Sequence, residues 1–161
     1  IGTIVPVIGN AVGAAVGAVV GGIAGLVTGI VGSATAGASV DPEQQALEKL
    51  ANSKFRSSFK LTRKEVLYID EKGIDVIRMH AADFVRNRLA PANPVNDGKQ
   101  TPMHGHPVFK AMHATACCCR GCMQKWYKVS PNRELTEDEQ RRIVNLLMAW
   151  IENNRRLIYE H

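Results

Sequence analysis

His106-Pro-Val-Phe-Lys-Ala-Met-His-Ala-Thr-Ala-Cys-Cys-Cys-Arg-Gly-Cys-Met-Gln-Lys-Trp126 is the stretch on which the reading of this chain turns. It holds all four cysteines and two of the five histidines, with Lys110, Arg120 and Lys125 among them. Pro107 suits the first turn of a helix, where its missing N–H has no intrahelical partner to lose. Two geometries follow. If residues 107–127 form one unbroken helix at about 100° per residue, Val108, Met112, Ala116, Cys119, Met123 and Trp126 make one apolar stripe, and Cys119 is ordinary core. If Gly121 breaks the helix, Cys119-Arg-Gly-Cys122 becomes a CxxC knuckle whose two thiolates face one ion.

The flanking sequence reads as helix in the same way. Asp41-Pro42-Glu43 combines an N-cap, a first-turn proline and a first-turn acid, so a helix is expected to about Asn52. Thr62-Arg-Lys-Glu65 is a capping box and Gly73 a natural terminator, framing a helix over 63–72. Asp75 can cap a third, with Ile77, His80, Ala81, Phe84, Val85 and Leu89 at helical spacing until Pro91 ends it. Thr136-Glu-Asp-Glu139 is a second capping box. Ile143, Leu146, Leu147, Trp150 and Ile151 then mark one face of a final helix to about Asn153. No alternating strand pattern of useful length occurs. The expected architecture for residues 41–161 is a small all-α domain of four or five helices, broken by a Pro/Gly-rich loop over 91–106.

Residues 1–40 are of another kind. They contain no charged side chain, so the whole net charge of +5 falls from Asp41 onward. Gly9, Gly13, Gly17, Gly21, Gly25 and Gly29 recur every fourth position among Ala, Val, Ile and Leu. Glycine at that spacing forms a groove where another backbone can approach, a pattern suited to packing in lipid. Each glycine costs a helix in water about 0.8–1 kcal/mol against alanine. The expectation is a glycine-zipper membrane-associating segment: one apolar helix, or a helical hairpin bent near Gly21-Gly22, open to self-association. Shelter within a larger shell or chaperone, or a simple linker, are the alternatives. The chain opens on Ile, with no basic run before the apolar segment, so it is expected to be a piece of a longer polypeptide rather than to begin with a signal peptide.

Thiols, imidazoles and cations in one short stretch point first to a metal. In that reading His113, Cys118, Cys119 and Cys122 are the candidate ligands and zinc the candidate ion. A thiolate nucleophile or redox pair, and plain core cysteine, are the other readings. Three adjacent cysteines offer poor geometry for structural disulfides. His80, Asp97 and His106 are the candidate proton movers. Lys99, Arg120 and Lys125 are the candidate phosphate binders, in keeping with a mildly basic domain and a nucleic-acid partner. His80, on an apolar helix face, is equally readable as a core histidine.

From about Lys54 to Asn153 the chain resembles a small bacterial family catalogued as a domain of unknown function. The resemblance rests on His80-Ala-Ala-Asp-Phe84, Asn96-Asp-Gly-Lys-Gln-Thr-Pro102, Gly105-His-Pro-Val-Phe109, His113-Ala-Thr, Cys118-Cys-Arg-Gly-Cys122, Lys125-Trp126 and Leu135-Thr136. In the family's pattern a threonine stands where Cys117 is and a histidine where Tyr127 is, which sets Cys117 apart from the other cysteines. The glycine segment is similar to regions that precede the toxic domain in polymorphic, recombination-hot-spot bacterial toxins. That resemblance implies a secreted effector delivered to a target cell, membrane-associated during delivery, with a payload acting in the cytoplasm and an immunity protein as partner. The payload expected here is a metal-dependent hydrolase of nucleic acid. A pore formed by the zipper, and a non-toxic metal-binding module tethered to a membrane, are the rival expectations.

Overall fold

The computed structural model describes residues 41–160, so the expected glycine-zipper helix or hairpin of residues 1–40 lies outside the described residues. The described part is all-α, with no strand. Its helices are α1 (Pro42–Ala51), α2 (Lys54–Ser57), α3 (Arg63–Lys72), α4 (Ile74–Phe84, continued as a π-helical turn over Val85–Leu89), α5 (Pro107–Ala114), α6 (Arg120–Tyr127) and α7 (Glu137–Tyr159). Among the described residues no helix is long and apolar enough to cross a membrane.

Most boundaries follow from the capping chemistry. Asp41 accepts from the Glu43 amide at the start of α1. Both capping boxes close: Thr62 with Glu65 on α3, and Thr136 with Glu139 on α7. Gly73 ends α3 and starts α4 as a single joint at φ +87°, a backbone angle that suits glycine. Asp75 therefore sits in the first turn of α4 rather than at its cap. The last helix runs past the expected Asn153. No glycine or proline stops it, and Asp70 of α3 holds its end through Arg155 at 2.5 Å and through the Tyr159 hydroxyl.

Helix α7 is the central element, packing against α1, α3, α4 with its π turn, and α5. Its buried face carries Ile143, Leu146, Leu147, Met148, Trp150 and Ile151. Opposite it, Ile77, Ala81, Val85 and Leu89 from α4, and Val108, Ala111 and Met112 from α5, complete the core.

Two elements differ from the sequence expectation. Helix α2 is additional, capped by the Ser53 hydroxyl. The 107–127 stretch is broken, but not at Gly121, which lies inside α6. The break comes earlier: Ala116 turns into the left-handed region at φ +58°, and Cys119 becomes the N-cap of α6, its sulfur accepting from the Cys122 amide at 3.4 Å. The single apolar stripe from Val108 to Trp126 therefore does not form.

Candidate metal centre

The break at Ala116 is what assembles the site. Cys118 and Cys119 sit on the link between α5 and α6, and Cys122 is one turn into α6. Their three sulfurs lie within 4.8 Å of one another. A tetrahedral zinc with bonds of about 2.3 Å needs sulfurs about 3.8 Å apart, so a small closing movement suffices. Cys117 points elsewhere: it is fully buried, its thiol directed at the Thr115 carbonyl at 3.5 Å. The Tyr127 hydroxyl donates to that same carbonyl. Cys117 and Tyr127 thus share one acceptor.

The cation among the sulfurs is Arg56 of α2, which sequence reasoning did not single out. Its Nη2 lies 3.2 Å from Cys122 Sγ, its Nη1 3.7 Å from Cys118 Sγ, and the same Nη1 donates to the His113 carbonyl at 2.5 Å. The residue is buried. Only Ser53 as a cap, with Phe55 and Phe59 four apart, hinted that a short helix stood there.

Three thiols this close cannot all ionise. Burial, aided by Cys122, pushes Cys118 up to about 12. Burial also raises Cys119. At Cys122 burial opposes ionisation, but bonds from Cys119, Arg56 and Cys118 outweigh it and leave its pKa below the usual thiol value. Without a metal, Cys122, facing Arg56, is therefore the thiol of the trio that ionises most readily. A divalent ion with three thiolates would carry one net negative charge, which the same guanidinium would balance. Arg56→Met is accordingly expected to weaken zinc binding by about 10–100-fold, the range typical of outer-shell partners. Arg56→Lys should recover little of it, because an ammonium cannot reproduce the planar fork. Competition with a chromophoric chelator measures both.

His113 stays out of the trio. Its Nε2 lies 3.2 Å from the carbonyls of both Thr101 and Pro102, so that nitrogen carries the proton, and its ring stacks on Phe59 at 5.6 Å. The imidazole ties the loop to α5, and Thr101 completes the tie by donating to the Cys118 carbonyl at 2.8 Å. Of the four candidate ligands, three converge.

Arg120 is not available to bind phosphate. It is 1% exposed, and its guanidinium donates to the carbonyls of Leu89 (3.1 Å), Pro91 (3.0 Å) and Ser130 (2.9 Å). It caps the π turn at the end of α4 and pins the segment after α6 to it. Lys99 and Lys125 are exposed. Asp97 is exposed too, accepting from Gln100 Nε2 at 3.3 Å within its own turn.

His80 and His106 do meet: His80 Nδ1 lies 3.0 Å from His106 Nε2. His106 also caps α5, its Nδ1 accepting from the Val108 amide at 3.1 Å. The tautomers follow. Neutral His106 has its proton on Nε2 and donates to His80, leaving the His80 proton on Nε2. The rings of Tyr68, Phe84 and Phe109 surround His106. This pair begins α5 and the thiols follow its other end, so a helix of eight residues, about 12 Å, separates them. They do not form one site with the cysteines.

Burial, then the nearby His80, lower the His106 pKa to about 4 from an ordinary 6.5. The unfolded chain takes up a proton that the folded chain refuses, so this contribution is full above pH 6.5 and is lost as pH falls towards 4. Allowing for partial exposure, the loss is about 1–2 kcal/mol. His106→Asn, which keeps a capping acceptor, is expected to flatten that part of the stability–pH curve in denaturant titrations.

Fold and site together define an all-α domain with a buried arginine facing a cluster of three thiols. The chain belongs to the DUF4186 family, a domain of unknown function, which it matches over residues 44–152. No solved structure matches it.

Proposed function

We propose that this chain is the C-terminal region of a secreted bacterial effector whose helical domain is a thiolate metal-binding payload. The observation that carries the metal reading is the convergence of Cys118, Cys119 and Cys122, sequence neighbours that only the kink at Ala116 turns towards one point. Sulfur-only ligation favours a soft ion, and zinc is the ion of choice. Three protein ligands leave a fourth position for water or substrate, the pattern of catalytic rather than structural zinc. Bound there, zinc would supply a hydroxide near neutral pH or polarise a phosphoryl oxygen.

The finer reading is a hydrolase acting on nucleic acid, with Lys125 on the same helix as Cys122 and Lys99 on the neighbouring loop supplying phosphate contacts. In that reading the His80–His106 pair plays no part in the chemistry at the thiols. The glycine-rich segment would engage a membrane during delivery, and an immunity protein would cover the payload in the producing cell.

Metal analysis of the reduced, purified full chain tests the centre. One zinc per chain is expected, together with thiolate-to-metal charge-transfer absorption on cobalt substitution. A metal-free protein that takes up neither ion ends the reading. Expression of the full chain in bacteria tests the payload. Killing that is lost in Cys118/Cys122→Ser supports the domain as the toxic part. Killing that persists, with liposomes depolarised by the same variant, favours a pore formed through the glycine zipper instead.

A further inference from the structure

Beside the α5–α6 kink lies a cavity that none of the three clustered thiols lines. It has a volume of about 370 Å³ and opens between α6, the segment that follows it, and the first half of α7. Its floor is apolar, built from Met123, Val129, Ile143 and Leu146 with Cys117 and Tyr127. Burial raises the Tyr127 phenol above its ordinary value, so that hydroxyl is uncharged near neutral pH.

The rim is cationic. Lys128, Arg133 and Arg142 line it, and Glu139 is the one carboxylate. Glu139 is already held by both Arg133 terminal nitrogens, at 2.5 and 2.8 Å, and by the Thr136 amide at 2.9 Å. The Arg133 bonds hold its pKa down to about 2. That pair is neutral as a unit, which leaves Lys128 and Arg142 as the cations facing the apolar hollow, with Glu43 of α1 within electrostatic reach of Arg142.

A separate observation points to the same place. Among the described residues four non-glycine positions have left-handed backbone: Asn96, Ala116, Lys128 and Asn132. Asn96 belongs to the Asn-Asp-Gly turn of the loop. The other three each begin or form a piece of this cavity. Ala116 delivers Cys117 to the floor, Lys128 stands on the rim, and Asn132 delivers Arg133. The Lys128 position closes α6, where glycine is the usual occupant. Asparagine adopts this region readily, but Ala116 and Lys128 are held in it against their own preference, as non-glycine residues at ligand clamps are.

We propose that this cavity is a binding site for a small amphipathic anion, a carboxylate whose apolar tail fills the floor and whose head meets Lys128 and Arg142. Ligand sites of this size are typically apolar hollows with a few placed polar groups. The site is independent of the metal reading, since none of the three clustered thiols lines it.

Decanoate is the probe, titrated into the full chain and followed by methyl NMR at Met123, Ile143 and Leu146. Saturable shifts at those methyls are expected, with decanol at least about tenfold weaker, the effect of losing a charge-assisted contact. Leu146→Trp should fill the hollow and abolish binding. Should that variant lose the wild-type methyl pattern, the surface variant Arg142→Glu decides, with at least about tenfold loss expected at unchanged melting temperature. Lys128→Gly should relieve backbone strain, leaving stability equal or higher while binding weakens. Equal affinity for decanol, shifts confined to other parts of the chain, or undiminished binding by the variants would overturn the proposal. Shifts at these methyls from phosphatidylglycerol vesicles but not from free decanoate would overturn the assignment to a free carboxylate.

Discussion

Cys122→Ser is expected to lower zinc affinity by at least about 100-fold, beyond the range for outer-shell partners. Of the three thiols Cys122 ionises most readily, so it would be the first to meet an incoming ion, and its sulfur meets Arg56 most closely, at 3.2 Å. Serine keeps the shape but supplies a hydroxyl that does not ionise near neutral pH. Cys118→Ser and Cys119→Ser should also lose binding. Cys119→Ser carries the smallest structural risk, since serine is itself a preferred N-cap for α6. Cys117→Ser is the control: this thiol stands outside the cluster, so zinc stoichiometry should be unchanged even where stability falls. A competition titration against a zinc chelator, run on all four variants under reducing conditions, separates them. Equal affinities for Cys117→Ser and Cys122→Ser would remove the cluster as the binding site.

Arg120→Met is expected to destabilise the domain by about 3–5 kcal/mol, a loss measurable in urea or as a melting temperature lower by more than about 10 °C. Methionine matches much of the side-chain volume, so packing is not the main loss. What is lost is the donor to three carbonyls, those of Leu89, Pro91 and Ser130. Pro91 has no N–H, and the π turn before it leaves the end of α4 without its ordinary closure, so no other donor is at hand. Hydrogen bonds from a charged donor contribute about 1.5–3 kcal/mol each, most at the buried Leu89 carbonyl and less at the part-buried ones of Pro91 and Ser130. Arg120→Lys should recover only part, as one ammonium cannot span acceptors from two separate segments. Zinc affinity in any folded fraction should change little, because the guanidinium faces away from the sulfurs. A stable Arg120→Met variant that instead loses zinc would reverse the roles of Arg120 and Arg56.

The distribution of these two arginines shows where sequence reading works and where it stops. Arg120 stands between cysteines in the chain, and the sequence placed it among the candidate phosphate binders. Yet helix α6 carries residues 119 and 122 to one side and residue 120 to another, so its charge is directed to the backbone of α4. Arg56 is more than sixty positions away from the thiols, on a four-residue helix with little periodicity to announce it, and it reaches them because α2 packs beside α5. Likewise the His80–His106 contact joins α4 to the cap of α5, a pairing invisible in either local pattern.

The sequence by itself determined the helices whose ends carry their own chemistry: Asp41-Pro42 for α1, the Thr62 and Thr136 boxes for α3 and α7, and Gly73 as the end of α3. It also determined the all-α class and the cysteines worth examining. These are local matters, because a side chain within three residues either satisfies an end amide or does not. Only the tertiary structure decided that the 107–127 stretch breaks at Ala116 rather than Gly121. A left-handed alanine is unfavourable in isolation and is held there by the packing of α5 and α6 around it. From that one turn follow both the thiol cluster and the placement of Cys117 in the apolar hollow.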